Sequence, residues 1–211
     1  MKKKTLIGLS LAAAVIFAGI CASASSMTYS VNSGEAKLIT PDVTQSDIKV
    51  PASFKGAAVT AIGVNAFKGN ETVRSVELPG SIASIEWGAF EDCVSLEKVN
   101  IPEGISWIED MTFSGCRALK NIELPETIIC IGVRAFYGTG LSSVKVPEGT
   151  QAIEVGAFEN CQDLKSIEIP DSVIYIGENA FKGCDKLTAV CKAGSAAEKY
   201  LINEKIPYTV K

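Results

Sequence analysis

The sequence predicts a β-rich solenoid in which short parallel strands stack in successive coils of about 23 residues. Phenylalanines that follow a small residue, or a threonine in one case, are spaced by 23, 23, 23, 22 and 23 residues. Prolines that follow an aliphatic residue are spaced by 23, 23, 22 and 23 residues, so both series share the same slip. The two series are Phe67, Phe90, Phe113, Phe136, Phe158 and Phe181, and Pro79, Pro102, Pro125, Pro147 and Pro170. Such a period is the signature of stacked repeats, which bury their apolar positions only against neighbouring units.

Each unit carries a pattern of apolar positions that predicts three sides of a coil. The pattern is Leu-x-x-Ile-x-Ile-Pro-x-x-Ile-x-x-Ile-Gly-x-x-Ala-Phe-x-x-Cys. Ile167 and Ile169 alternate with Glu168, which predicts a short strand with the isoleucines inward and the glutamate outward. Proline ends this strand because it has no N–H for the ladder. The segment after the proline, Val173-x-x-Ile176 in the same unit, predicts a second extended run. Ala-Phe fills the third side after a glycine turn. The full units are 71–93, 94–116, 117–139, 140–161 and 162–184, after an incomplete unit at about 48–70.

The two ends of the repeat region, which spans 48–192, carry patterns that predict caps. Residues 25–47 contain short alternating stretches such as Tyr29-Ser30-Val31, which predict a small N-terminal β cap. Residues 193–211 contain Ser195 followed three residues later by Glu198, a capping-box pattern that predicts a short C-terminal helix. Caps are expected because an open solenoid end exposes strand edges.

The repeat pattern resembles the BspA-type bacterial leucine-rich repeats. Ile101-Pro102, Ile108, Phe113 and Cys116 carry the match in one unit, and their counterparts carry it in four others. The resemblance implies a leucine-rich-repeat solenoid with an N-terminal β cap and a C-terminal helical cap. It also implies a surface or secreted protein that binds an extracellular or cell-surface protein, including as an adhesin.

The first 24 residues have the three-part layout of a secretory signal peptide. Lys2-Lys3-Lys4 precede an apolar run from Leu6 to Ile20, and Ala22-Ser23-Ala24 follows as a small-x-small cleavage site. The run is shorter than the roughly 20 residues that span a bilayer comfortably. An uncleaved anchor and a lipid-modified Cys21 are alternatives, although the large Ile20 is unfavourable before a lipidated cysteine. After cleavage no further run of membrane length remains, so we expect a secreted or cell-surface protein.

Composition excludes several classes of function. The chain has no histidine, which removes Ser-His-Asp and Cys-His catalysis and histidine-ligated zinc. Signal cleavage would remove three lysines and no acid, taking the formal charge from −4 to −7. An acidic chain argues against nucleic-acid binding, which needs a basic stripe. No phosphate loop, nucleophile elbow or metalloprotease motif is present, so we expect neither an enzyme nor a cofactor.

Six cysteines remain after signal cleavage, and four of them occupy one repeat position. These four are Cys93, Cys116, Cys161 and Cys184. They form a row with a step of about 4.8 Å per coil, whereas zinc ligands converge on one point, so we expect buried thiols and no metal. Disulfides between neighbours stay open as an alternative, although stacked parallel side chains suit their geometry poorly. Cys130 falls at a variable position and is expected to be exposed, and Cys191 is expected at the outward position of the last strand.

Two rows of outward positions are candidate binding surfaces. The first is the strand face formed by Glu77, Lys98, Asn100, Glu123, Lys145 and Glu168. A solvated polar face is the simpler interpretation, and a surface for a basic protein patch is the functional one. The second row contains Trp107 and Tyr175, which would anchor a protein or stack on a glycan if they are exposed. A structural component of the cell envelope and a glycan-binding module are the alternative functions.

Overall fold

A computed structural model describes residues 27–42 and 44–211, and the predicted signal peptide lies outside them. The described residues form a solenoid, which confirms the predicted fold class. The strands are β1 (Thr28–Asn32), β2 (Glu35–Thr40), β3 (Asp47–Lys49), β4 (Ser53–Phe54), β5 (Ala57–Ile62), β6 (Ser75–Glu77), β7 (Ser84–Ile85), β8 (Lys98–Val99), β9 (Trp107–Ile108), β10 (Cys130–Ile131), β11 (Ser143–Lys145), β12 (Ala152–Ile153), β13 (Ser166–Glu168), β14 (Tyr175–Ile176), β15 (Thr188–Cys191) and β16 (Tyr208–Val210). The helix is α1 (Ala196–Asn203).

Two rows of parallel strands run along the stack. The first strand row lies just before the repeated prolines and comprises β3, β6, β8, β11, β13 and β15. The second strand row lies just after them and comprises β5, β7, β9, β10, β12 and β14. Paired strands match equivalent repeat positions, as where Val144 pairs with Ile167 and Ile131 pairs with Ile153. Equivalent positions therefore form columns along the solenoid, and a column is either buried or exposed over most of its length.

The alternation in the first strand row works as the sequence predicts. Val76, Val144 and Ile167 point inward and are almost fully buried. Side chains on either side of them, such as Ser143 and Lys145, are exposed. This inward-outward alternation follows from the two-residue period of a strand.

The third side of each coil carries a continuous stack of buried phenylalanine rings. Centroids of successive rings from Phe67 to Phe181 lie 4.7–5.6 Å apart, with interplanar angles of 7–20°. The backbone beneath the rings is tied across coils, because the N–H of Phe90 donates to the carbonyl of Thr112 at 2.9 Å and that of Phe113 to Ala135 at 2.8 Å. The third side of the coil is therefore joined to the next coil by backbone hydrogen bonds as well as by ring packing.

The N-terminal cap is a hairpin. Strands β1 and β2 are antiparallel, and Ser33 and Gly34 form the turn with φ values of 51° and 84°. Two positive φ values at adjacent turn residues match the twist of a tight hairpin. Strand β2 then pairs in parallel with β5, so the hairpin covers the first edge of the second strand row.

The C-terminal cap is built on the predicted capping motif. The Oγ of Ser195 accepts a hydrogen bond from the N–H of Glu198 at 3.1 Å, and the Glu198 carboxylate accepts one from the N–H of Gly194 at 2.6 Å. Helix α1 places Tyr200 edge-on against Phe181, with centroids 6.0 Å apart, so it ends the ring stack. In the part of the chain that the structure describes, no helix is long and apolar enough to cross a membrane.

One predicted strand does not form. Residues 121–124 are not in a strand, so the first strand row is divided into a sheet of β3, β6 and β8 and a sheet of β11, β13, β15 and β16. On the opposite side of β8, towards β6, the side chain of Asn100 shortens the ladder, because its Oδ1 accepts from the N–H of Leu78 at 2.7 Å and its Nδ2 donates to the carbonyl of Leu78 at 2.9 Å. The amide takes the place of the backbone partner, and the ladder stops at Val99.

Two cysteine predictions are also wrong. Cys191 was expected to point outward, but the register pairs Val190 with Glu168, so Cys191 takes the next, inward position and is fully buried. Cys130 was expected to be exposed, but it is 7% exposed, because its small side chain lies in register between Trp107 and Ala152.

The centre of the phenylalanine stack should tolerate truncation poorly. Phe113→Ala removes a fully buried ring with a stacked neighbour on each side, so we expect it to lower the free energy of unfolding by about 3–5 kcal/mol. Denaturant unfolding followed by circular dichroism measures the change. Val31→Ala, at a half-exposed position of the N-terminal hairpin, serves as the control and should change little. A loss below about 1 kcal/mol for Phe113→Ala would mean that the stack does not contribute as its packing implies.

Candidate interaction surfaces

The structure does not assemble the six charged and polar residues of the first strand face into one site. Lys145 and Glu168 are neighbours in register, but Glu123 lies in the segment that is not a strand. The side chain of Asn100 is engaged by the backbone of Leu78. The face is therefore interrupted in the middle of the stack.

Two of the five charged residues on the first strand face, Glu77 and Glu168, are paired within the protein. Lys49 contacts Glu77 at 2.7 Å, with both side chains well exposed. Lys211 pairs with Glu168, and this hydrogen bond lowers the pKa of the Glu168 carboxyl and raises the pKa of the Lys211 amine. Exposed pairs of this kind contribute little to stability or to binding. The first strand face is best described as a solvated surface of mixed charge.

The second strand row presents a different outer surface, which we call the neutral face. It consists of two adjacent columns without any charged side chain. Its members are Thr60, Ala61, Ala83, Ser84, Ser106, Trp107, Ile129, Cys130, Gln151, Ala152, Ile174 and Tyr175. Four of these are large apolar side chains that are exposed: Trp107 (52%), Ile129 (42%), Ile174 (74%) and Tyr175 (47%). Trp107 and Tyr175 were the alternative candidates from the sequence, and the structure places both on this face.

Carboxylates border the neutral face on both sides. One border follows the repeated prolines and contains Glu103, Glu126, Glu148 and Asp171. The other follows the strands and contains Glu86, Glu109, Asp110 and Glu154. Within the second border, Glu86 binds Lys37 at 2.5 Å, and Asp110 accepts the N–H of Val133 at 2.8 Å. Sequence reasoning missed the second border, although its members recur with the period of the repeat.

The carboxylates of the second border lie close enough together to shift the pKa of Glu109. Partial burial raises the pKa of its carboxyl, and the nearby charges of Asp110 and Glu86 raise that pKa further. The folded protein therefore disfavours the ionised form of Glu109. A cationic group brought to this border from outside would relieve that repulsion.

The cysteine row is a structural feature of the core. Each thiol of the row donates to the carbonyl of a phenylalanine in the preceding coil, as where Cys116 contacts Phe90 at 3.1 Å and Cys184 contacts Phe158 at 3.0 Å. Burial raises the pKa of Cys93 to about 12 and that of Cys130 to about 11. The six described cysteines are free thiols and buried. Among the described residues no group of three or more potential ligands could hold a metal ion.

The coils of this protein stack in register, bury one residue of each kind per turn and expose variable columns. These features define the class of leucine-rich-repeat proteins. The profile of the BspA-type leucine-rich repeat region matches residues 45–165 and 151–195 in six copies. The chain belongs to this family, which confirms the resemblance seen in the sequence. Leucine-rich repeats typically serve as non-enzymatic binding modules and are compatible with protein–protein interaction.

Solved structures of bacterial leucine-rich-repeat proteins are similar to this chain. A protein from Bacteroides ovatus is 29% identical, with a TM-score of 0.65, over 79% of this chain and 51% of its own. The T. pallidum protein TpLRR is 23% identical, with a TM-score of 0.76, over 88% of this chain and 95% of its own. The pneumococcal vaccine antigen PcpA is 17% identical, with a TM-score of 0.68, over 90% of this chain and 47% of its own.

The two similarities below 25% identity show the fold alone. This chain spans about half the length of the Bacteroides ovatus protein. No curated protein matches the sequence closely enough to count as a relative.

Neutralising Glu109 should stabilise the protein at neutral pH. Because the pKa of Glu109 is raised in the folded state, its ionised form costs stability above that pKa, and the cost disappears below the unfolded value of about 4.3. Glu109→Gln should therefore raise the melting temperature at neutral pH, with the difference shrinking as the pH falls to about 4. Glu126→Gln, on the opposite border, is the control. A lower melting temperature for Glu109→Gln at neutral pH would contradict the prediction.

The cysteine thiols should resist modification while the protein is folded. All six described cysteines are buried, which denies a reagent access to them, and burial also raises the pKa of Cys93 and Cys130 and so suppresses their thiolates. With a chromogenic disulfide reagent, we expect none of the six described cysteines to react quickly in buffer and all of them to react in denaturant. Rapid reaction of Cys130 in the folded protein would show that the neutral face opens at this point.

Proposed function

We propose that this protein is an exported binding module that recognises another protein through its neutral face. The observation that carries the proposal is the exposure of Trp107, Ile129, Ile174 and Tyr175 on one sheet face. Single exposed apolar residues are ordinary on protein surfaces, but a group that includes two aromatic anchors on one face is typical of interaction sites. Binding, and not catalysis, is the activity that we propose.

The backbone under the neutral face is well suited to present these anchors. Cys130 pairs with Trp107 on one side and with Ala152 on the other, and Ala152 pairs with Tyr175. At about 4.8 Å per strand, Trp107 and Tyr175 lie about 14 Å apart, within reach of one bound segment. A face held by backbone hydrogen bonds loses little conformational entropy on binding, which favours affinity.

The chemistry of the borders favours a partner that carries both apolar and basic side chains. Apolar groups of the partner would cover Trp107 and Ile174, while its lysines or arginines would meet carboxylates such as Glu109 and Glu154. Complementary charges of this kind speed association and reject acidic partners. The affinity is therefore expected to fall as salt concentration rises.

The place of action rests on the sequence. The signal-peptide pattern at 1–24 supports export, and a secreted or cell-surface location follows from it. In that location the partner would be an extracellular or cell-surface protein, and adhesion to another cell is the role that fits both the fold class and the location. An envelope scaffold would use the same fold without a soluble or foreign partner.

Removal of the apolar anchors should weaken partner binding without unfolding the protein. We expect a double variant, Trp107→Ala with Ile174→Ser, to bind at least about tenfold more weakly, because each anchor is exposed in the free protein and buried in the complex. The partner is first captured from extracts of host-cell surfaces or of the organism's own envelope, then purified. Its affinity for each variant is measured by calorimetry.

The matched control is Lys98→Ser with Lys145→Ser on the first strand face, which should keep the parental affinity. Equal affinity of the parent and the anchor variant for the purified partner would exclude the neutral face as the site. Loss of binding only in the lysine control would instead assign the binding site to the first strand face. Thermal melts of both variants confirm that their folds are intact.

A further inference from the structure

The coil 140–161 is one residue shorter than the others, and a cleft, which we call the notch, lies at its start. The notch is on the segment that connects the phenylalanine stack to the first strand row. Other complete turns at this point place two residues before the buried leucine: Val94-Ser95, Arg117-Ala118, Gln162-Asp163 and Asp185-Lys186. The coil 140–161 places Gly140 alone there. The missing residue and the missing side chain together open a cleft between the flanking coils.

This notch is a cavity of about 570 Å³, a size within the range of small-ligand sites. Gly140 forms its floor, and Arg117, Tyr137, Asn160, Gln162 and Asp163 are among the residues that line it. A Cβ atom at position 140 would lie 2.2 Å from the carbonyl oxygen of Arg117, so glycine is required and no side chain can fill the floor. The cleft is thus a fixed consequence of the backbone.

The polar groups that line the notch keep hydrogen-bonding capacity for a ligand. The guanidinium of Arg117 forms no ion pair with any described residue. The hydroxyl of Tyr137 accepts a hydrogen bond from Nδ2 of Asn160 at 2.9 Å, which leaves its own proton free to donate. The amide of Gln162 is exposed at the rim and can both donate and accept.

The charge around the notch is positive, in contrast to the acidic chain as a whole. Lys120 and Lys186 both bind Asp163, at 3.1 and 3.0 Å, and these contacts lower the pKa of that carboxyl. Lys120 belongs to the coil before the notch and Asp163 to the coil after it, so the ion pair passes over the coil of Gly140. Two lysines therefore bind the carboxylate that lines the notch, and Arg117 lines the notch as a third cation.

From this arrangement we infer that the notch binds an acidic carbohydrate, with the sugar carboxylate held by Arg117. A planar guanidinium receives a carboxylate through two parallel hydrogen bonds, which is the strong form of this contact. The Tyr137 hydroxyl and the amides of Asn160 and Gln162 offer the mixed donors and acceptors that neighbouring sugar hydroxyls need. The ring of Tyr137 is partly exposed beside them, with the guanidinium of Arg134 over it at 5.5 Å from the ring centroid.

The notch differs from the neutral face in place and in chemistry. Its residues follow the phenylalanine position of the coil, whereas those of the neutral face precede it, and the cationic surroundings select an anion where the neutral face selects a cation. The inference therefore does not depend on the proposed protein partner. The two proposals can fail separately.

The test compares acidic sugars with their uncharged counterparts. The purified protein is titrated calorimetrically with 3′-sialyllactose against lactose, and with trigalacturonate against its methyl ester. We expect at least one acidic sugar to bind saturably and at least about tenfold more tightly than its neutral counterpart, because only the acid engages Arg117 bidentately. The two pairs distinguish a sialic acid from a uronic acid as the source of the carboxylate.

Variants assign the binding to the notch. Arg117→Gln should weaken binding of the acidic sugar at least about tenfold, whereas Arg74→Gln, an exposed arginine elsewhere on the stack, should leave it unchanged. A second variant inserts one serine after Thr139, restores the 23-residue length and should remove the cleft and the binding together. Its thermal melt is recorded beside that of the parent, so that loss of binding is credited to the cleft only when the melt is unchanged.

Several outcomes would overturn the inference. These are equal affinity for the acidic and neutral sugars, no saturable binding of either acidic sugar at millimolar concentration, and full binding by Arg117→Gln. Inorganic phosphate that binds as tightly as the acidic sugar would show a general anion site and would also overturn it. Loss of the protein partner in the Trp107 and Ile174 double variant has no bearing on this test.

Discussion

Hydrogen bonding between equivalent residues of successive coils is the constraint on which the rest of the structure depends. It acts in the two strand rows and beneath the phenylalanine rings, and each strand row is interrupted once, the first between β8 and β11 and the second between β7 and β9. Each coil repeats the path of the one before it. The burial or exposure of a repeat position in one coil therefore holds for the whole column. A buried column must then use side chains that stack on copies of themselves, as the phenylalanines do. No unit could bury these positions alone.

The same constraint separates the surfaces. Columns that face the core repeat nearly the same residue, whereas columns that face solvent differ from coil to coil and can acquire local chemistry. The neutral face has gained aromatic and aliphatic side chains at a few of its positions, and its borders have gained carboxylates. The notch arises in a different way, because a shortened coil removes side chains that its neighbours keep. Substitution and deletion thus produce two unlike surfaces on one scaffold.

The sequence was sufficient for most of the fold because the repeat samples the same pattern several times. The 23-residue period, the inward isoleucines of the first strand row and the capping motif at Ser195 all follow from local patterns with a clear physical cause. The predicted strand at 121–124 does not form although its residues alternate as in the other units, and another departure from the pattern depends on a single side chain. The amide of Asn100 replaces a backbone partner, and no pattern in the neighbouring residues indicates that choice.

The cysteine errors have a similar origin. A shift of one position reverses inward and outward in a strand, and Cys191 lies in a unit without the repeated proline, so its register was ambiguous. The burial of Cys130 depends on its neighbours across the sheet and not along the chain. Of the binding surfaces, the sequence indicated Trp107 and Tyr175, but their common face and its acidic borders required the three-dimensional register.

The divided first strand row has a mechanical consequence. Between β8 and β11 the backbone of 121–124 contributes no ladder, so the two halves of the solenoid are joined there by the second strand row and by the ring stack. The second strand row is interrupted one coil earlier, because β7 does not pair with β9, so adjacent coil boundaries in the middle of the stack each lack one of the two strand ladders. Local opening begins where backbone bonds are fewest, so under tension along its axis the molecule would extend first at these boundaries, while the caps keep their shape.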